Sequence, residues 1–133
     1  RSFAAIAVSL VNRGCFNYET AALVVLDFLK KSTTYTFPKR TILNINVPDI
    51  PYDEIKGFKV TRLGHRAKGH DPHIVSDPRG HQRFWIALAG DGDDAGEGTD
   101  FHAVANNYVS VTPIHVDMTQ YDVLNSMKTW LGD

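Results

Sequence analysis

TILNINVP, residues Thr41 to Pro48, is the stretch whose reading decides the fold. In an extended chain Leu43, Ile45 and Val47 point one way, while Ile42, Asn44 and Asn46 point the other. The stretch therefore reads as a strand with two amides on an otherwise apolar ribbon. Asn44 and Asn46 either brace a neighbouring loop, the ordinary service of a buried amide, or face a ligand pocket.

Upstream, Ala22, Val25, Leu26 and Leu29 recur at helical spacing between Tyr18 and Lys31, with Lys30 and Lys31 in the last turn, where the helix dipole favours cations. Asn17 stands where a side-chain oxygen can cap the first turn. Before it, Ala4 to Leu10 (AAIAVSL) is almost continuously apolar, as in a parallel strand covered on both faces, and Asn12, Arg13 and Gly14 break it. Strand, helix and strand make a parallel unit with a right-handed crossover, so residues 4–47 read as the end of an α/β sheet. The chain opens almost directly on a core strand, and a larger parent is expected, of which this is the C-terminal piece.

Downstream, PDIP breaks both helix and strand, and a subdomain boundary is expected there, with residues 1–48 on one side and 49–133 on the other. Asp53 to Lys56 has room for one helical turn ended by Gly57, and Phe58 to Leu63 alternates with Phe58, Val60 and Arg62 on one face. From Gly64 to Gly80 the pattern dissolves into a polar excursion, within which DPRG (Asp77–Gly80) has type I turn chemistry. Phe84 to Leu88 and Tyr108 to Thr112 are rich in residues that suit a pleated surface and read as two strands of a β arm holding up an acidic, glycine-rich loop. Thr119 heads a capping-box-like series, and Leu124, Met127 and Leu131 form the stripe of a short terminal helix with Trp130 beside it and Gly132 ending it.

At 133 residues the chain is long enough for one domain with a core, and 43% hydrophobic against 22% charged residues is ordinary for a globular protein. A net charge of −1 gives no clustered basic face, so neither nucleic acid nor an anionic membrane is expected as a partner. One cysteine, Cys15, cannot form an internal disulfide or a cysteine-based zinc site, and reads as a buried, inert thiol. No apolar run approaches the roughly 20 residues of a membrane span, and a cytoplasmic location is the default expectation.

The candidate chemistry is thin. Asp91, Asp93, Asp94, Glu97 and Asp100 suggest calcium, but a loop counted from Asp91 puts Ala95 at its fifth position and His102 at its twelfth, where a bidentate Glu is required. A solvated connection with tight turns is the simpler account. Five of the six histidines fall between residues 65 and 102. Pro72 inside HDPH (His70–His73) forbids the helical pairing of zinc proteases, and His115 reads as a packed imidazole. Ser9, Ser76 and Ser110 stand in no nucleophile motif, and no phosphate-cradling glycine loop is present.

Three segments, AAIAVSL, Ile42 to Arg62 and Asp94 to Thr119, together resemble the SurE family, the stationary-phase survival proteins that act as nucleotidases on nucleoside monophosphates. The resemblance runs in order over essentially the whole chain, with Asn107 standing where the family usually has Gly before YVS. It implies an α/β fold: the C-terminal part of a Rossmann-like parallel sheet, a projecting β-hairpin arm and a C-terminal helix. It also implies a metal-dependent phosphomonoesterase whose divalent cation, Mg or Mn, is held by adjacent aspartates, a Ser and an Asn of the N-terminal half. Asp93-Asp94 lies in the glycine loop and not after a strand, so no catalytic or metal residue is carried over, and this chain alone is expected to be inactive.

The family further implies a homo-oligomer, dimer or tetramer, whose subunits exchange a hairpin and a C-terminal segment. Phe84 to Leu88, Tyr108 to Pro113 and Trp130 are then expected at a subunit contact. Thr99 and Asp100 are the residues expected near the substrate. The alternative is a non-catalytic assembly or nucleotide-recognition module, and a stand-alone metal sensor ranks last.

Overall fold

The computed structural model describes residues 5–11, 14–69, 71–86 and 89–133. Its first elements are β1 (Ala5–Val11), α1 (Tyr18–Ser32) and β2 (Thr41–Pro48), and β1 pairs with β2 in parallel, setting Ala7 beside Asn44 and Ser9 beside Asn46. The strand, helix and strand unit is present as read. Ala4, Asn12 and Arg13, the expected start and break of the first strand, lie outside the described residues.

The alternation of β2 sorts its two faces. Leu43, Ile45 and Val47 are buried with Val24 of α1, while Asn44 and Asn46 are half-buried on the opposite face. The helix meets the sheet through Ala21, Val24 and Phe28, not through the expected Ala22, Val25, Leu26 and Leu29 stripe. Leu26 and Leu29 remain exposed, because a helix carrying two apolar stripes can turn only one of them to a given sheet. Likewise β1 is not covered on both faces here: Ile6 and Leu10 pack against the core, while its other residues are exposed.

Asn17 does not cap α1 with its side chain. Asp49, just past β2, organises the turn before the helix instead, accepting from the Cys15, Phe16 and Asn17 amides and from the Asn17 side chain, and an ionised carboxylate is a strong acceptor for such a cluster of donors. Cys15, expected to be buried, is exposed on the same loop.

After a single 3-10 turn at Tyr52–Glu54 come β3 (Phe58–Val60), β4 (His65–Arg66), β5 (His73–Ser76), β6 (Gln82–Trp85), β7 (Gly92–Asp94), α2 (Asp100–Ala105), β8 (Val109–His115) and α3 (Leu124–Leu131). The main sheet has the order β1-β2-β8-β3, with β8 antiparallel to β2 and β3 parallel to β8. This corrects the expected arm. Tyr108 to Thr112 does not pair with the described part of that stretch, Phe84 to Ile86, but enters the central sheet, where Val109 and Val111 join the core. Burying such a side chain contributes about 1.5–3 kcal/mol, and an arm in solvent would forfeit it.

The hairpin that forms instead is β5 with β6, pairing Ile74 with Phe84 and His73 with Trp85. Ala87 and Leu88 lie outside the described residues. Its tip is the DPRG turn, where the Gly80 amide donates to the Asp77 carbonyl at 2.9 Å, as a type I turn requires. Strand β3 stops at Val60, short of Leu63, because Arg62 leaves the sheet to bridge Thr99. Asn107 holds φ at 67°, the left-handed region that Gly enters freely and Asn more readily than most.

At the C-terminus, Thr119 does not cap the last helix. The chain passes through a 3-10 turn at Tyr121–Val123 before α3, and Asp117 gathers the donors, accepting from the Thr119 amide at 3.0 Å and the Tyr121 hydroxyl at 2.6 Å. Gly132, at φ 76°, ends the helix.

Candidate functional site

The register of the sheet builds a polar face. Ser9 lies beside Asn46 and Asn46 beside Ser110, so three adjacent strands carry a row of small polar side chains; Asn44 and Thr112 form the next row. Thr112 is satisfied, its hydroxyl 2.7 Å from that of Thr61. Ser110 is fully buried, and its Oγ has no hydrogen-bond partner among the described residues. Neither Asn44 nor Asn46 makes a side-chain hydrogen bond among those residues, so neither braces a loop in the described structure.

Helix α2 lies over this face and leaves a cleft of about 680 Å³ whose walls include Ser9, Asn44, Asn46, Arg66, Asp100 and His102. The sequence reading had missed α2, since DFHAVA is a single short helix among glycines. Its signal was the cap. Thr99 Oγ1 accepts from the His102 amide at 3.2 Å and donates to the Gly96 carbonyl at 2.7 Å. Ala103 and Val104 then turn inward and are buried.

A second set of bonds fixes α2 in position. The Arg62 amide donates to the Gly98 carbonyl and the Asp100 amide to the Arg62 carbonyl, both at 3.1 Å. The Arg62 guanidinium grips Asp94 with two nitrogens, Nη2 lying 2.8 Å from Oδ1. That hydrogen bond is the main cause holding the Asp94 carboxyl below its ordinary range and raising Arg62 above its own. Asp100 Oδ1 accepts from the Gly64 amide at 2.8 Å and the Phe101 amide at 3.0 Å. Gly64 is required there: a Cβ would stand 2.5 Å from Phe101 Cδ2 and closer still to the Asp94 carbonyl.

Of the two residues expected near a substrate, Asp100 lines the cleft and Thr99 is fully buried. Asp91, Asp93 and Glu97 are exposed. His73 opens β5, His81 sits at the hairpin tip, 3.3 Å from Asp77, and His102 is on α2; His70 lies outside the described residues. Among the described residues no group of three His, Cys, Asp or Glu side chains is placed to hold an ion. What the cleft offers is neutral hydrogen bonding from two amides and a hydroxyl, one imidazole, one carboxylate, and the guanidinium of Arg66. That guanidinium lies 5.1 Å from the Phe101 ring centre and donates to the Gly90 carbonyl at 3.3 Å.

The sequence pattern of the family described as "Survival protein SurE" matches residues 1–70, more than half of the chain. The chain belongs to the SurE family. It is 52% identical over 127 residues to a protein of Marinobacter nauticus named 5'-nucleotidase SurE, a match covering 96% of this chain and 50% of that protein. A protein of the same name from Mannheimia succiniciproducens is 54% identical over 126 residues, covering 95% and 50% of the two chains. The crystal structure of the SurE protein from Aquifex aeolicus superposes with a TM-score of 0.81 at 43% identity, over 99% of this chain and 53% of that one. The α/β fold is shared with that SurE structure. This chain spans about half the length of the curated relatives it matches.

Proposed function

We propose that the chain is the C-terminal half of a SurE-type, metal-dependent nucleoside 5'(3')-monophosphate phosphohydrolase. The observation that carries this reading is the match, over 96% of the chain, to half of a protein named 5'-nucleotidase SurE. Two uncovered apolar surfaces support it: the outer edge of β1, with Val8 and Val11 exposed, and the outer stripe of α1, with Leu23, Leu26 and Leu29 exposed. In this reading the other half of the protein covers both and carries the Mg or Mn ion with its ligands.

Residues 1–48 then complete the nucleotidase domain, and residues 49–133 form the arm and oligomerisation region while lending β3 and β8 to the sheet. Asp100 acts at the substrate from the cleft wall, and Thr99 acts with it through the first turn of α2. Phe84, Trp85 and Trp130, all well exposed, serve a homo-oligomeric contact, dimer or tetramer. Of Tyr108 to Pro113, only Tyr108 and Pro113 keep surface for it, because Val109 to Thr112 is buried inside the sheet. The protein works in the cytoplasm; among the described residues no helix is long and apolar enough to cross a membrane.

Phosphate release from AMP with Mg or Mn tests the reading. The full-length protein turns over and the isolated chain does not. Turnover by the isolated chain, or none by the full-length protein, overturns it. Nucleotide binding without hydrolysis in the full-length protein is the signature of the second reading, a nucleotide-recognition module, which the cleft also favours.

A further inference from the structure

We infer that Asn44 and Asn46 are specificity-determining residues that hold the nucleoside, and not the phosphate, of the substrate; this rests on the nucleotidase reading above. Apart from one carboxylate, Asp100, and one arginine, Arg66, which stacks on the Phe101 ring and donates to the Gly90 carbonyl, the polar groups lining this cleft include the Asn44 and Asn46 amides, the Ser9 hydroxyl and the His102 imidazole. The remaining walls are neutral and polar. They match the uncharged part of a nucleotide, with its ring nitrogens, exocyclic groups and sugar hydroxyls.

The amides match that part in detail. Each Asn side chain offers one acceptor and a two-hydrogen donor in one plane, the pattern that pairs with the edge of a nucleobase. Asn44 and Asn46 are two positions apart on β2, on the same face and about 6.5 Å from each other along the strand. Neither amide makes a side-chain hydrogen bond among the described residues, and Asn46 lies between Ser9 and the buried Ser110 hydroxyl, which has no partner among those residues either. A polar row left unsatisfied on a concave surface of this size is the arrangement of a binding site awaiting its ligand. Asp100, fixed by the Gly64 and Phe101 amides, is placed on the facing wall as an acceptor for sugar hydroxyls.

The test compares AMP with p-nitrophenyl phosphate in the full-length protein and adds adenosine binding by calorimetry. In Asn44→Leu and Asn46→Leu the ratio of kcat/KM for AMP to that for p-nitrophenyl phosphate falls at least tenfold, chiefly through KM for AMP, and adenosine binding weakens by a similar factor. Asn46→Ser, which keeps a small polar side chain for folding, shows the same direction. A ratio and an adenosine affinity within twofold of wild type in all three variants overturn the inference, as does a wild-type protein that hydrolyses AMP but does not bind adenosine. Adenosine binding that depends on both asparagines, in a protein that hydrolyses neither ester, leaves the inference standing and fells the nucleotidase reading instead.

Discussion

Asp49 Oδ1 lies between two donors of Asn17, the backbone amide at 2.8 Å and the side-chain Nδ2 at 3.0 Å. Its other oxygen accepts from the Cys15 amide at 2.9 Å and the Phe16 amide at 3.1 Å. One carboxylate, 2% exposed at the end of β2, thus organises the turn that feeds α1 and holds Phe16 at φ 60°. A non-glycine residue in that left-handed region costs about 1–2 kcal/mol, which these bonds offset.

Replacing Asp49 by Ala leaves those donors, on a part-buried turn, without their acceptor. A loss of about 2–4 kcal/mol in unfolding free energy is expected from equilibrium denaturation, and Asp49→Asn recovers only part of it. A loss under about 0.5 kcal/mol would mean that water replaces the carboxylate without cost.

The Arg62–Asp94 pair governs an acid response. Asp94 is held below the ordinary carboxylate range chiefly by its hydrogen bond to Arg62. A carboxylate lowered in the folded state contributes stability that is complete above its unfolded pKa and is lost as pH falls through the folded one. Asp94→Asn should therefore remove an acid-sensitive part of the stability below the ordinary carboxylate range and leave the neutral-to-basic side of the profile unchanged in shape. Both partners are partly exposed, so salt weakens the effect, and a thermal melt series across pH at low and high ionic strength reads it.

Gly64 and Gly96 provide a matched pair. A Cβ at Gly64 collides with the Phe101 ring and the Asp94 backbone, whereas one at Gly96 meets nothing within 4 Å. Gly64→Ala is expected to destabilise by about 1–3 kcal/mol, as overpacking does, and Gly96→Ala to change stability by no more than about 0.5 kcal/mol. Equal melting temperatures for the two variants would show that α2 shifts freely away from β4.

Thr99→Ala deletes the cap of α2 and should cost about 1 kcal/mol, with Thr99→Ser close to wild type because the hydroxyl is what bonds the His102 amide. The same variants bear on the proposed function. Unchanged kinetic constants for Thr99→Ala in the full-length protein would remove Thr99 and its helix from the substrate's neighbourhood.

Removing residues 117–133 tests the subunit contact. That segment carries α3, whose Leu124, Met127, Trp130 and Leu131 are all exposed. Size-exclusion chromatography of the full-length protein without it should show a smaller assembly; an unchanged elution volume counts against exchange of this segment.

The amino-acid sequence by itself determined the parts whose information is local. The alternation of Thr41 to Pro48, the turn chemistry of Asp77 to Gly80 and the helical run after Asn17 each specify their own backbone, because period and side-chain volume act within a few residues. Partner choice is different. Tyr108 to Thr112 has the alternation of a strand in any setting, and only the assembled core, with Val109 and Val111 packed beside Ile45, decided that it pairs with β2 rather than with Phe84. Asp49 displaced Asn17 as the organiser of a helix start from more than 30 positions away, a competition no local pattern records. The site followed the same division: the two amides of β2 were legible as a polar pair, but their place in a cleft depended on α2 folding across the sheet and on the Arg62, Gly64 and Asp100 contacts that hold it there. Those contacts join residues distant in sequence, and their energies exist only once the chain has closed.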